Sequence, residues 1–237
     1  MAHKKIFSII TPTIGKRPRA LAQCIASVTE AINWGGFSPD DVEMLIGYDG
    51  VKDNGRVPYP EYVKSFNLPR DNDWGNGIRQ TLLRAAKGER ILFLDDDNVL
   101  TRNALRIYQR HFDVEMIIGR VDTSRAFDIP WLPVVNPGDS HQQVVRHTNI
   151  DPLCVCLTRD LVVDRCGGWL FQGKYEADYL NIVHWHRRAK SVRVLSDTVG
   201  VYDYGRCLDA MSLNRRQATL LDRKIVERHA PMRHIST

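Results

Sequence analysis

Apolar and polar positions alternate along this chain between strand-like runs and helix-like spacings. Residues 5–10 form an apolar-rich run ending at Thr11-Pro12-Thr13 and predict a first strand. From Pro18, which a first helical turn tolerates, Leu21, Ile25 and Val28 recur at helical spacing through Glu30. Gly35-Gly36 ends that helix, and residues 42–48 predict a second strand closed by Asp49-Gly50. Residues 51–74, rich in Pro, Asn, Asp and Gly, read as a long surface loop. Gly75-Asn76-Gly77 opens a helix to Lys87 with Ile78, Leu82 and Ala85-Ala86 on its inner side. Gly88 stops it, and Ile91-Leu92-Phe93-Leu94 then predicts a short strand buried on both faces. This alternation predicts an α/β fold with a mostly parallel sheet covered on both faces by helices.

The second half is less regular. Thr101 suits the N-cap of a helix to about Arg110, and residues 116–119 predict another short strand. Residues 121–148 contain Pro130, Pro133, Pro137 and Gly138 and show no readable period. Residues 153–157 read as a strand, 159–165 as a short helix, and Gly167-Gly168 as its stop. A helix over 175–188 carries Glu176 and Asp178 in its first turn. Residues 191–195 and 199–204 predict two late strands, and 208–228 a basic terminal helix. The expected organisation is one domain over 1–205, its halves meeting near residue 100, with a helical extension over 206–237.

Chemistry enters at the end of the 91–94 run, where Asp95-Asp96-Asp97 delivers three carboxylates to one sheet edge. Such a cluster repels itself unless a cation joins it, and hard oxygen ligands favour Mg²⁺ or Mn²⁺. The plainer alternative is a solvated acidic turn. The 237 residues carry a formal charge of +5, with 43% hydrophobic and 26% charged residues, ordinary values for one globular domain. That mild charge suits phosphates or an anionic membrane surface and falls short of a nucleic-acid signature. Five scattered cysteines offer no CxxC pair, so neither a zinc site nor a disulfide framework is expected. No apolar run nears the roughly 20 residues of a membrane span, and the N-terminal residues lack a signal-peptide pattern. The expectation is cytoplasmic, with peripheral membrane contact through the basic terminal helix left open.

Four segments together resemble the family 2 glycosyltransferases of the GT-A fold, a Rossmann-like arrangement. They are FSIITPTIGKRPRALAQCIASV, EMLIGYDG, GNGIRQTLLRAAKGERILFLDDDN, and LTRDLVVDRCGGW followed by EADYL. The resemblance implies inverting transfer of a sugar, a UDP-sugar favoured, from a nucleoside diphosphate to an acceptor hydroxyl on a glycan or glycolipid. It implies that Pro12, Thr13, Arg17, Asp49, Arg79, Asp95 and Asp96 surround the nucleotide sugar. It further implies that Asp97, with Asp95, holds Mn²⁺ or Mg²⁺, that Asp178 is the general base with Glu176 in reserve, and that Gly168 and Trp169 lie on the acceptor side. Where relatives carry a Glu-Asp pair this chain reads Ala177-Asp178, and Tyr202 and Tyr204 stand near a position where many relatives carry a histidine.

The residues themselves leave alternatives. Asp178 also suits a helix dipole, Asp49 a turn, Arg79 a solvated helix face, and Trp169 the core. A nucleotidyltransferase would want a richer phosphate loop than Thr13-Ile14-Gly15-Lys16-Arg17, and a non-catalytic nucleotide-sugar-binding module would need no base.

Overall fold

The computed structural model describes residues 4–172, 176–205 and 208–209. The expected terminal helix over 208–228, and with it the helical extension, lies almost wholly outside them. Strands β1 (Phe7–Thr13), β2 (Val42–Asp49), β3 (Val63–Leu68) and β4 (Arg90–Phe93) pair in parallel in the order β3-β2-β1-β4. Helices α1 (Pro18–Gly35) and α2 (Asn76–Ala85) are their crossovers. α1 buries Leu21, Cys24, Ile25, Val28 and Ile32, and α2 buries Ile78, Leu82 and Leu83. β1, β2 and β4 are buried almost throughout, as strands covered on both faces must be.

Beyond β4 the sheet changes character. β8 (Val155–Thr158) runs antiparallel to β4, with Leu92 opposite Cys156. β6 (Met116–Asp122) is antiparallel to β8 and parallel to β9 (Val192–Val201). Two short strands, β5 (Val99–Leu100) and β7 (Trp131–Leu132), close on β9 and β6. Helices α3 (Ala104–Gln109), α4 (His141–Val144) and α5 (Ala177–His186) fill the second half. Among the described residues, no helix is long and apolar enough to cross a membrane.

Several expectations need correction. The 51–74 segment is no simple loop: it contains β3, whose outward side chains Lys64, Ser65 and Asn67 mask a strand pattern at a sheet edge. Thr101 does not cap α3. Its hydroxyl donates to the Thr198 carbonyl (2.9 Å), and the helix begins at Ala104 after Asn103. The two late strands are one, β9, which passes through register shifts against β6 that break its alternation. The short helix at 160–165 is a π-helical turn, and the 153–157 strand begins only at Val155 after a 3₁₀ turn over Pro152–Cys154.

Candidate active site

β1, β2 and β4 all end at one edge, and the loops beyond them build the site. The acid turn follows β4 directly: the Leu94 N–H still donates to Ile10 (3.0 Å), and the Asn98 N–H then closes on the Asp95 carbonyl (3.0 Å). Asp96 and Asp97 are buried, while the Asp95 side chain stays 38% exposed and so remains open to a ligand. Self-repulsion is relieved from the β1 loop. Arg17 pairs with both Asp96 and Asp97, and the Thr13 hydroxyl donates to Asp96 (2.5 Å). Burial nevertheless pushes Asp96 up to about 7, against the pull of Arg17.

Arg79 answers the third carboxylate. It reaches out of α2 to Asp95 (2.6 Å) and to the Trp74 carbonyl (2.9 Å), buried rather than solvated. Burial works against its charge, but Asp95 and Asp178 outweigh that and keep the guanidinium protonated. Its group lies 5.0 Å from the centre of the Trp169 ring. Trp169 is therefore corrected: it does not line the cleft but fills the core, edge-on to Phe93 and Trp185, with its indole N–H donated to Asn76 (2.9 Å). A large ring with its one polar atom satisfied belongs inside. Gly168, in the left-handed region at φ 93°, brings the chain against Gln80, whose amide oxygen accepts the Trp169 N–H (2.7 Å).

Asp49, at the end of β2, accepts the Asp71 N–H (2.6 Å), and Asp71 in turn accepts the Gly77 N–H (2.9 Å). It thus pins the loop that leads into α2. Pro12 lies under Gly75, where a Cβ would come within 2.9 Å of its ring, so the glycine at φ 78° lets α2 start close to β1.

The other wall of this edge comes from the second half of the chain. Asp178 sits in the first turn of α5, half-buried, lifted by burial and by Asp95 and held down by Arg79. Glu176 precedes the helix and is exposed. Two further residues are coupled electrostatically to this edge: Asp151, which no motif marked, and Tyr202, which the sequence offered only as standing near a position where relatives carry a histidine. Asp151 heads the 3₁₀ turn, and burial together with Asp178 pushes it up to about 8. Tyr202 follows β9, and burial together with Asp151, Asp203, Asp95 and Asp97 raises its phenol. Asp-Pro in the sequence signals a turn and nothing more; only β8 running back along β4 carries Asp151 to this edge. Asn98 ties the two halves, accepting the Asp203 N–H (2.8 Å), while Gly205 donates to the Asp97 carbonyl (2.7 Å).

Among the described residues, no group of three or more acidic, histidine or cysteine side chains forms a metal cage. The hard carboxylates Asp95 and Asp97 on one turn are the side chains that would hold a small divalent ion, Asp95 partly exposed and Asp97 already paired with Arg17.

A family model described as glycosyl transferase family 2 matches residues 8–164. No curated protein sequence matches the chain. Among solved structures, residues 1–349 of TarS from S. aureus align with a TM-score of 0.67 at 18% identity, covering 94% of this chain and 71% of that one. The same TarS segment in complex with UDP-GlcNAc aligns at 0.65 and 17% identity, covering 83% and 58%. Mannosyltransferase PcManGT from Pyrobaculum calidifontis, in complex with GDP-Man and Mn²⁺, aligns at 0.54 and 16%, covering 84% and 57%. At these identities the likeness is one of fold, the GT-A arrangement.

Proposed function

The chain belongs to glycosyl transferase family 2, and from that premise we propose that it moves a sugar, with inversion, from a nucleoside diphosphate sugar to an acceptor hydroxyl. The observation that carries this is the buried Arg79, flanked by Asp95 from the first half of the sheet and Asp178 from the second. Donor chemistry belongs on the Asp95 side and proton transfer on the Asp178 side, as in-line displacement requires two opposed faces.

In the proposed reaction Asp178 is the general base. As the acceptor oxygen attacks the anomeric carbon, its proton passes to the Asp178 carboxylate and the bond to the diphosphate breaks, leaving the electron pair on phosphate oxygen. Asp97 and Asp95 would hold Mn²⁺ or Mg²⁺, which when bound supplies positive charge to the leaving diphosphate. Arg79 holds Asp95 in place, and its charge opposes the rise that burial gives the Asp178 carboxyl. Pro12, Thr13, Arg17, Asp49 and Asp96 form the donor's surroundings in this reading, and Gly168 shapes the acceptor side through Gln80. A UDP-sugar is the favoured donor, since TarS is crystallised with UDP-GlcNAc, and GDP-sugars are the comparison because PcManGT is crystallised with GDP-Man.

The test is a thermal-shift screen of UDP, GDP, CDP and dTDP with their sugars, each with and without Mn²⁺. Only a ligand of the native state raises the melting temperature. The expected result is a metal-dependent shift for one nucleotide, absent in Asp97→Ala, and turnover lost with donor binding kept in Asp178→Ala. Donor binding with no turnover in the unaltered protein would instead favour a nucleotide-sugar-binding module.

A further inference from the structure

Residues 134–149 form a strap that is closed on itself. Asn149, buried, accepts the Val134 N–H (2.9 Å) and donates to the carbonyls of Val134 (3.1 Å) and Val144 (2.9 Å). Within the strap the Gln143 amide oxygen accepts the Ser140 N–H (2.9 Å) and caps α4. A segment whose backbone is satisfied internally can open as one piece. Val144 and Val145 are buried and peg it down, and two histidines tie it to α5. His141 Nδ1 lies 2.8 Å from His186 Nε2, the two rings edge to face at 5.0 Å. The His147 ring meets Tyr179 at 5.3 Å. The helix so held carries Asp178 in its first turn and ends at His186.

Two neutral imidazoles share one hydrogen across such a contact, the N–H of one ring donating to the lone pair of the other. A first proton leaves that bond in place, because an imidazolium N–H still finds a neutral acceptor. A second puts two N–H groups and two positive charges face to face, with no lone pair between them. We propose that the His141–His186 pair is an acid-released latch: protonation of both rings frees the 134–149 strap from α5. The surroundings set where this happens. Neither ring forms an ion pair with a carboxylate among the described residues. On α5 and at its end the titratable or charged groups are Asp178, Tyr179, His184 and Arg187, and on the strap Asp139, Arg146 and His147. On β9, which packs against α4, they are Arg193 and Asp197, and at the 3₁₀ turn against α5, Asp151. Arg146 is taken up by the Gln143 carbonyl (3.0 Å) and Arg193 by Asp113 (2.9 Å). Burial lowers the His186 pKa, and His141 and Arg187 lower it further. The freed ring takes its proton near ~6.5 and the latched ring only at lower pH, so the latch holds above that value and is lost as the pH falls.

The experiment follows amide hydrogen exchange by NMR in the full chain over a pH series, each rate divided by that of unstructured peptide at the same pH. The reporters are Val144 and Val145, whose N–H groups donate to the Ser140 and His141 carbonyls (3.2 Å each). Ile9 and Ile46, in the paired strands β1 and β2, report opening of the whole sheet. The expected opening of the strap is constant above about pH 6.5 and rises below it toward about tenfold per pH unit, the slope for one extra proton bound in the open form. Ile9 and Ile46 do not follow. His186→Gln and His141→Asn each keep an amide near the ring nitrogen but take no charge, and each flattens the dependence; if one does not fold, the other carries the comparison. Strap opening that ignores pH overturns the proposal, as does an unchanged slope in the folded variants. Acceleration of Ile9 and Ile46 in step with the strap also overturns it, since the acid effect is then unfolding of the whole chain.

Discussion

Arg17 and Arg79 divide three adjacent carboxylates between them, and that division sets what each substitution should do. Arg79→Met leaves Asp95 without its cation and removes the charge that holds Asp178 down. The expected cost is roughly 1–3 kcal/mol of stability, read by denaturant unfolding, because a hydrogen-bonded partner is lost from a buried network. Arg79→Lys should recover only part of it, since an ammonium cannot span both Asp95 and the Trp74 carbonyl with one planar fork. In the proposed reaction Asp178 acts as base only when ionised, and burial raises its pKa. Activity should therefore fall as the pH drops through a value above the ordinary aspartate range near ~3.9. In Arg79→Met that acid limb should move to still higher pH, as the lowering charge is gone. A limb that stays in place would detach Asp178 from the rate. Asp178→Asn should cost about 10²–10⁴ in turnover with donor affinity kept.

Between elements, a few buried polar atoms hold the site's edge in register. Glu43 of β2 accepts from the Ser8 hydroxyl of β1 (2.6 Å) and from the Lys87 N–H (2.6 Å), and Ser8 accepts the Gly88 N–H (2.7 Å). One side chain thus joins two strands to the turn that launches β4. Glu43→Ala should lower stability by roughly 1–3 kcal/mol in thermal or denaturant unfolding, since it strands buried donors. A second element-level lever is the turn at 167–168. A Cβ on Gly168 would lie 2.2 Å from the Gln80 amide oxygen at a φ that side chains rarely adopt. Gly168→Ala should cost about 1–3 kcal/mol and loosen the Trp169 support beneath Arg79, lowering activity beyond the loss of folded protein. Indole fluorescence together with turnover per folded molecule would check both halves of that expectation.

For the whole molecule, the first half of the chain was largely legible and the second was not, and the reason is topological. Strands β1, β2 and β4 are buried on both faces, so continuous apolar runs betray them, and parallel pairing sends all their ends to one edge. The pattern alone therefore places Asp95, Asp96 and Asp97 at that edge. β3 escaped because it is a half-exposed edge, and β9 was split in two because its register shifts interrupt the alternation. The 121–148 segment hid β7 and α4, which are two and four residues long, too short to show a period. At this scale the expected response to ligand is global: the nucleotide that binds should raise the melting temperature of the whole sheet, since the strands whose ends would hold it, β1, β2 and β4, are the centre of that one sheet.

By itself the sequence determined that β1, β2 and β4 are buried strands, that α1 and α2 cover them, and that an acid turn crowns the middle of the sheet. Those are local matters of period, glycine stops and burial on both faces. Only the tertiary structure decided that Arg17 takes Asp96 and Asp97 while Arg79 takes Asp95, and that Trp169 lies beneath Arg79 rather than in the cleft. These pairings join residues tens of positions apart. What fixes them is the reversal of β8 along β4 and the return of β9 to the acid turn, neither of which any local pattern encodes.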